Sequence, residues 1–381
     1  MNERSIDKLS TTMLVFFFCL AVFFPLILGI MEKDQIASQV EKRNLTLPPS
    51  IPKSVQQVKK FPQVFDAYYA DHFGLREELT KLYFKIIYEI DGDSRSSNVT
   101  IGKDGWLFLG TVKKGYTKFD DPMGDAINVN LYTEKELAEF AESMMAVKRY
   151  LKNRGVEYIF VIAPNKHTIY FDELPDYISK LNPQSATDQL VSYLRKHTDI
   201  VVVDLRQALL EQKKRQQVYY KTDTHWNQYG ANVAQFEIMK SVAKLFPGKL
   251  SPVLLDDSSF RVLKKGAGDL GNSAIIDNIS EDDPQPVFEG TCTPTKEPVD
   301  ARETEVYTMN CDDQQLDAVI FRDSFFSLLQ PYFARKFARS TYIWSKLNYP
   351  ALTKYLKREK PDIVIEEWIE RTLPDVHRSG F

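Results

Sequence analysis

The strongest constraint on the fold is a regular alternation of strand and helix patterns that starts near residue 98. Val156–Ala163 and Ile200–Asp204 are almost continuous apolar runs, as expected of strands buried on both faces. Helical patterns separate such runs, and the first of them opens with Thr133 and Glu136, the two residues of a capping box. The alternation predicts an α/β fold with a mostly parallel sheet and helices on both faces. Further strands are predicted at 318–321, 341–344 and 363–367, a hairpin at 99–101 and 106–109, and helices at 133–152, 185–197, 206–216, 227–246, 325–338 and 350–359.

An apolar segment near the N-terminus predicts a membrane anchor. Met13–Met31 is 19 residues long and has no charge, so as a helix it can span roughly 30 Å of hydrocarbon. The alternative is a cleaved signal peptide, but the run ends in bulky side chains without a small-x-small cleavage site. Because Arg4 and Lys8 precede the run, the positive-inside rule predicts that residues 1–12 are cytoplasmic and residues 32–381 lie outside the cytoplasm.

The segments that follow the anchor predict a stalk and then one large domain. Residues 32–60 are polar with little periodicity, and residues 61–90 have the apolar spacing of two packing helices. Together they give a stalk region, 32–97, before a domain at 98–381. Within that domain, 272–315 is acidic and weakly periodic, which predicts a surface insertion.

Charge and cysteine content narrow the functional classes. The formal net charge of -3 provides no basic excess of the kind that nucleic-acid binding usually requires. Cys292 and Cys311 lie in the predicted insertion, and outside the cytoplasm such a pair is expected to form a disulfide, with two unpaired cysteines as the alternative. Neither has a histidine or cysteine partner at metal-ligand spacing, so no metal site is predicted there.

The predicted sheet indicates where a functional site should lie. In open α/β sheets, ligands bind outside the carboxyl ends of the strands. We therefore expect the site to be built from residues at those ends. The segments concerned are Pro164–Tyr170, Asp204, Arg322–Phe326 and Glu366–Arg371.

Asp223 and His225 form the most informative local motif. They lie two residues apart in a polar and aromatic stretch just before a helix predicted to begin at Asn227. At this spacing a carboxylate can bind one imidazole nitrogen and fix the tautomer, which leaves the other nitrogen available as a general base. A metal site is the weaker interpretation, because the chain has no HExxH motif to support it. A solvent-exposed histidine beside a capping aspartate is the remaining alternative.

Ser324 is the predicted nucleophile. It follows the apolar strand residues 319–321 and precedes a predicted helix. A serine at such a turn lies at a helix N-terminus, where backbone N–H groups can stabilise an oxyanion. The nucleophile elbow of hydrolases uses the same geometry with a different motif. A serine that only caps the helix is the alternative.

Several motifs, in the same order along roughly residues 40–375, resemble those of the alginate O-acetylation proteins of the AlgJ/AlgX type. The resemblance implies an SGNH-hydrolase-like fold with the triad order Asp–His–Ser, which is permuted relative to ordinary SGNH hydrolases. The motifs are Gly102–Phe108 (GKDGWLF), Pro164–Tyr170 (PNKHTIY), Asp223–Asn227 (DTHWN), Gly268–Leu270 (GDL), Asp323–Phe325 (DSF) and Pro361–Glu366 (PDIVIE).

The resemblance also implies a mechanism. Acetyl would pass through a covalent serine intermediate to a hydroxyl of an extracytoplasmic polysaccharide, without a cofactor. A multi-span membrane acyltransferase is implied as the acetyl relay. The implied catalytic triad is Asp223, His225 and Ser324. The candidates for oxyanion or substrate contacts are Asn165, Lys166, Arg322 and Trp226.

One departure from the family pattern keeps other functions open. The family usually has glycine before Asp-Ser, and this chain has Arg322, which either narrows or redirects the site or marks reduced activity. The expected protein is a single-pass protein of the inner membrane with its catalytic domain in the periplasm. The alternatives are an SGNH-type acetyl esterase with the same triad and a non-catalytic subunit of a polysaccharide-acetylation assembly.

Overall fold

The computed structural model describes residues 3–31, 37–38, 43–76, 78–79, 82, 98–112, 115–118, 120–274, 280–290, 292–298 and 306–375. The strands are β1 (Ala37–Ser38), β2 (Arg43–Asn44), β3 (Val99–Ile101), β4 (Leu107–Leu109), β5 (Glu157–Ala163), β6 (Val201–Asp204), β7 (Phe260–Lys265), β8 (Glu281–Pro286), β9 (Thr295–Pro298), β10 (Val306–Asn310), β11 (Asp317–Phe321), β12 (Arg339–Ile343) and β13 (Ile363–Ile369). The helices are α1 (Glu3–Met31), α2 (Val55–His72), α3 (Pro122–Ala126), α4 (Glu134–Lys152), α5 (Lys166–Ile169), α6 (Ala186–His197), α7 (Arg206–Lys213), α8 (Gln228–Leu245), α9 (Asp269–Ala274), α10 (Gln330–Phe333) and α11 (Tyr349–Glu359).

A mixed sheet organises the C-terminal part of the chain. Its strand order is β6-β5-β13-β11-β12-β10-β9. The first five of these strands are parallel, whereas β10 pairs antiparallel with β12, and β9 pairs antiparallel with β10. The carboxyl ends of the five parallel strands therefore meet along one edge of the sheet. The predicted α/β class with a mostly parallel sheet is confirmed.

Helices cover both faces because the central strands are apolar on both sides. In β5, Ile159 and Val161 pack into one core layer, and Phe160 and Ile162 pack into the other. The first layer is closed by α8 and the turn after β11, and the second by α4, α6 and α11. Helix α4 begins where predicted, since Thr133 and Glu136 form the expected capping box.

Two predicted segments differ in the structure. The helix expected at 325–338 is a 3₁₀ turn, Ser324–Leu328, followed by the short α10, because Pro331 lacks the N–H that a continuous helix would need. The stretch 272–315 is not only a surface insertion, since β8, β9 and β10 lie within it and β10 pairs with β12 along five residues. The Cys292–Cys311 disulfide is present, with a Cα–Cα distance of 5.9 Å.

The chain divides into two compact units, residues 1–96 with 272–277, and residues 97–271 with 278–381. In the first unit, Thr12–Gly29 within α1 is long and apolar enough to cross a membrane, with a mean hydropathy of 2.5. Helix α2 begins at Val55, inside the segment 32–60 in which no helix was predicted, because the Ser54 side chain caps it by accepting a hydrogen bond from Gln57 N. The second helix expected before residue 90 falls largely outside the described residues.

Candidate active site

Ser324 lies directly beyond the carboxyl end of β11, in a turn fixed by the carboxylate before it. Asp323 Oδ1 accepts a hydrogen bond from Phe325 N at 2.8 Å, and Oδ2 accepts one from Ile369 N at 2.8 Å. Asp323 therefore ties the ends of β11 and β13 together. Its pKa is raised by burial, and burial together with the nearby Asp323 raises the pKa of Glu367 well above its ordinary value.

The side chain of His225 connects Ser324 to Asp223. His225 Nε2 lies 2.8 Å from Ser324 Oγ, and His225 Nδ1 lies 2.7 Å from Asp223 Oδ1. Since a carboxylate only accepts, Nδ1 carries the proton and Nε2 is the acceptor for the serine hydroxyl. The imidazole is only 25% exposed, and it packs against the ring of Phe325 at a centroid distance of 4.7 Å. The arrangement can remove a proton from the Ser324 hydroxyl.

Asp223 is held in its ionised form. Burial alone would raise its pKa, but the hydrogen bond from His225 and the charge of Lys265, 3.5 Å away, lower the pKa well below the usual range for aspartate. Asp223 Oδ1 also accepts from the backbone N of His225 at 3.1 Å. A fixed negative charge beside Nδ1 stabilises the imidazolium that forms when His225 takes a proton.

Two further acids hold the loop that carries the motif. Asp269 accepts hydrogen bonds from Thr224 N at 2.7 Å and from the Thr224 hydroxyl at 2.6 Å. Glu281, which is 8% exposed, accepts from Lys221 N at 2.7 Å and from the hydroxyl of Thr222. The residues on either side of Asp223 are thus tied to separate parts of the fold.

Lys166 supports the same loop from beneath. Its Nζ donates to Lys221 O at 2.7 Å and to Asp223 O at 3.0 Å, so the ammonium group is directed to the loop backbone and its hydrogen bonds are used there. Lys166 is 3% exposed, and burial lowers its pKa to about 7, against the opposing charges of Glu281, Asp223 and Asp269. The resemblance predicts Lys166 as an oxyanion or substrate candidate, whereas its hydrogen bonds in the structure are those of a positioning residue.

Trp226, like Lys166, contacts other parts of the protein and not the solvent-exposed surface of the site. It is fully buried, and its indole N–H donates to Phe325 O at 3.1 Å. A side chain with no exposed surface cannot stack on a glycan, so the expectation that Trp226 contacts substrate is wrong. Its hydrogen bond instead connects the residue after His225 to the residue after Ser324.

Asn165 and Arg322 occupy different positions at the strand ends. Asn165 follows β5; its Nδ2 donates to Asp125 Oδ2, and its Oδ1 accepts from Arg371 Nη1, both at 3.3 Å. Arg322 follows β11, and its guanidinium donates to Asp323 O at 3.2 Å and to Ser327 Oγ at 3.1 Å. None of the contacts described for either residue is with Ser324 or His225.

A metal interpretation of the motif is less consistent with the geometry than proton transfer. Ligand atoms of Asp223, His225 and Asp269 lie within 4.8 Å of one another. Both imidazole nitrogens, however, already make hydrogen bonds, one to Asp223 and one to Ser324. A metal ion bound at either nitrogen would have to replace one of these two hydrogen bonds.

Sequence reasoning did not assign roles to Asp269, Glu281, Asp323 or Arg371. Asp269 lies in the Gly-Asp-Leu motif, and Arg371 lies in a segment predicted to follow a strand at the site. Both residues are therefore in segments that the sequence analysis had connected with function. Glu281 lies in the stretch interpreted as a surface insertion, and no local pattern indicates that it is buried.

A mostly parallel sheet with a Ser–His–Asp cluster beyond the carboxyl ends of its strands is the arrangement expected of an SGNH-hydrolase-like protein. The family model described as "SGNH hydrolase-like domain, acetyltransferase AlgX" matches residues 99–312, more than half of the chain. The chain therefore belongs to this AlgX-type family.

Curated proteins are similar to this chain in sequence, and a solved structure is similar to it in fold. The chain is 24% identical over 269 residues to the probable alginate O-acetylase AlgJ of Pseudomonas fluorescens, a match that covers 70% of this chain and 60% of the relative. It is 29% identical over 180 residues to the protein of the same description from Pseudomonas aeruginosa, covering 46% and 41%. The fold is similar to that of Bacillus cereus PatB1 with a sulfonyl adduct, with a TM-score of 0.51, 15% identity, and coverage of 72% of this chain and 94% of that one.

Proposed function

We propose that this protein is a serine-dependent O-acetyltransferase that transfers acetyl groups to hydroxyls of an extracytoplasmic polysaccharide such as alginate. The observation that carries the proposal is the continuous hydrogen-bonded chain from Ser324 Oγ through His225 to Asp223. Membership of the AlgX-type family and similarity to proteins described as probable alginate O-acetylases support acetyl as the group and polysaccharide as the acceptor.

The first half-reaction forms an acetyl-enzyme. His225 Nε2 takes the hydroxyl proton of Ser324 as Oγ attacks the acetyl carbonyl carbon. The bond to the donor's leaving group then breaks, and the leaving group takes the proton from His225. Asp223 stays ionised throughout and stabilises the imidazolium.

The second half-reaction transfers the acetyl group to the sugar. A sugar hydroxyl gives its proton to His225 Nε2 and attacks the carbonyl carbon of acetyl-Ser324. The ester bond to Oγ breaks, and Oγ recovers its proton from His225, so the enzyme returns to its starting state. Water in place of the sugar would make the same protein an esterase.

Backbone and side-chain donors near Ser324 are suited to the oxyanion. The backbone N–H of Ser324 donates to no group within the described part of the chain, and it lies at the start of the 3₁₀ turn. Asn165 and Arg371 lie at neighbouring strand ends and carry N–H groups that can provide a second donor.

For this function, the N-terminal helix anchors the enzyme in the membrane, and the catalytic domain lies on the side where the polysaccharide acceptor is found. Residues 1–12 form a cytoplasmic tail, 13–31 an inner-membrane anchor and 32–97 a stalk region, and the catalytic domain, 98–381, lies in the periplasm. An acetyl donor from the cytoplasm cannot reach Ser324 directly, so a multi-span membrane acyltransferase serves as the relay.

The test compares the full chain with Ser324→Ala, using 4-nitrophenyl acetate as donor and a mannuronate oligosaccharide as acceptor. Wild type is expected to acetylate the sugar, and the variant to lose transfer by at least about 10³-fold, because no covalent intermediate can form. A Ser241→Ala variant, at a serine of α8 whose hydroxyl donates to Glu237 O, controls for folding and should transfer acetyl at the wild-type rate. Transfer by a folded Ser324→Ala protein would contradict the serine mechanism, and hydrolysis without transfer by wild type would indicate an esterase.

A further inference from the structure

An exposed tryptophan lies beside the nucleophile. Trp344 directly follows β12 and is 45% exposed. The last register pair between β11 and β12 joins Phe321 to Ile343, so Trp344 stands opposite Arg322, two residues from Ser324. With adjacent strands about 4.8 Å apart, the Cα atoms of Trp344 and Ser324 lie roughly 8–10 Å from each other.

Trp344 is connected to the turn that carries Ser324. The guanidinium of Arg322 contacts the Trp344 ring and also donates to Ser327 Oγ, and Ser327 lies in the same 3₁₀ turn as Ser324. Tyr342, two residues before Trp344, packs in the core layer that contains Trp226 and Phe325. The indole therefore lies next to the turn of the nucleophile.

Arg322 supports the indole from within the protein. Its guanidinium carbon lies 4.0 Å from the centroid of the Trp344 ring, a cation–π contact. Arg322 itself is 3% exposed and is held by its hydrogen bonds to Ser327 Oγ at 3.1 Å and to Asp323 O at 3.2 Å. The residue that departs from the family's glycine thus provides a rigid backing for one aromatic side chain.

We propose that Trp344, backed by Arg322, is the platform on which a pyranose ring of the polysaccharide acceptor stacks, which makes it an acceptor subsite. This inference rests on the proposed acetyltransferase function and names the residues that bind its acceptor. The open face of the indole suits the C–H face of a sugar ring. The indole N–H makes no hydrogen bond within the described residues, so it can donate to a ring hydroxyl. Arg322 is a positioning residue, because it acts through Trp344.

The experiment measures acceptor dependence separately from serine acylation. Full-length wild type and Trp344→Ala are assayed with 4-nitrophenyl acetate and increasing concentrations of mannuronate oligosaccharide. The acceptor KM of Trp344→Ala is expected to rise about tenfold, as for the loss of one aromatic contact, while Trp344→Phe stays within about threefold of wild type. The rate of the first nitrophenol release, which needs no acceptor, is the internal reference.

Two variants make the result specific. Tyr349→Ala removes an exposed aromatic from α11, which packs on the opposite face, and should leave the acceptor KM unchanged. Arg322→Lys keeps the charge but loses the planar stack, so the acceptor KM should rise about threefold or more with acylation intact. An unchanged acceptor KM in Trp344→Ala, or an equal loss of acylation and transfer, would overturn the inference. Absence of transfer by wild type would instead overturn the proposed function.

Discussion

Replacing Lys166 with methionine tests whether a buried lysine holds the catalytic loop. Methionine fills a similar volume but cannot donate, so Lys221 O and Asp223 O each lose a hydrogen bond. Leaving two buried carbonyls unsatisfied costs about 2–6 kcal/mol. Against this, a lysine pKa that falls from 10.5 to about 7 destabilises the wild-type fold by up to about 5 kcal/mol at pH 7. The two effects nearly cancel at pH 7.

The pH dependence of the unfolding free energy separates the loss of the hydrogen bonds from the effect of the lowered lysine pKa. Between pH 7 and pH 10.5 the unfolded chain binds a proton at Lys166 more readily than the folded protein does, so raising the pH stabilises wild type. From pH 7 to pH 9 this gain is about 2–3 kcal/mol, and Lys166→Met lacks it. The difference in unfolding free energy between the two proteins should therefore widen by that amount. Acetyl transfer by the variant should fall at least about tenfold at both pH values, since the backbone of Asp223 is no longer held.

Urea unfolding of the full chain in detergent at pH 7 and pH 9 measures this difference, with transfer assayed in the same preparations. Lys221→Met is the matched control, because Lys221 is in the same loop but its ammonium donates at the surface, to Asp104 O. It should change the unfolding free energy little at either pH. A difference between wild type and Lys166→Met that does not widen with pH would refute the argument.

Two further predictions concern residues that shape the site and the sheet edge. Trp226→Phe removes the hydrogen bond to Phe325 O from a fully buried position, so the unfolding free energy should fall by about 1–3 kcal/mol in urea titrations; wild-type stability would contradict the structural role. Cys292 and Cys311 should resist thiol alkylation until reduced, and the Cys292→Ser/Cys311→Ser double variant should lose roughly 3 kcal/mol of stability. Full labelling of both thiols before reduction would contradict this second prediction.

Local patterns were sufficient to predict most of the fold. Helix α4 was predicted because its capping box lies within four consecutive residues, and β5 because its apolar run is continuous. The edge strands were missed for a physical reason. All four residues of β9 are exposed, so β9 has no apolar alternation, and β10 is defined by its pairing with β12 about thirty residues later in the chain.

The candidate site was predicted only where its chemistry is local. Asp223 and His225 are two residues apart, and the strand-end rule selected Ser324 as a third member; the structure brings the three within hydrogen-bonding distance. Lys166 and Glu281 could not be predicted to support the loop, because their partners lie 55 or more residues away and a charged residue is normally expected at the surface. Because a lysine is expected at the surface, Lys166 was predicted to contact substrate and not to be buried beneath the loop.

Mass spectrometry of the trapped intermediate shows whether Ser324 carries the acetyl group during transfer. The full chain is mixed with 4-nitrophenyl acetate, quenched in acid after the first turnover and digested. One acetyl group is expected on the peptide that contains Ser324, and none on that peptide in Ser324→Ala. The group should be lost when a mannuronate oligosaccharide is added before the quench, with acetyl then found on the sugar. Acetyl-sugar formed at the wild-type rate by a protein that never carries acetyl on Ser324 would contradict the covalent serine mechanism.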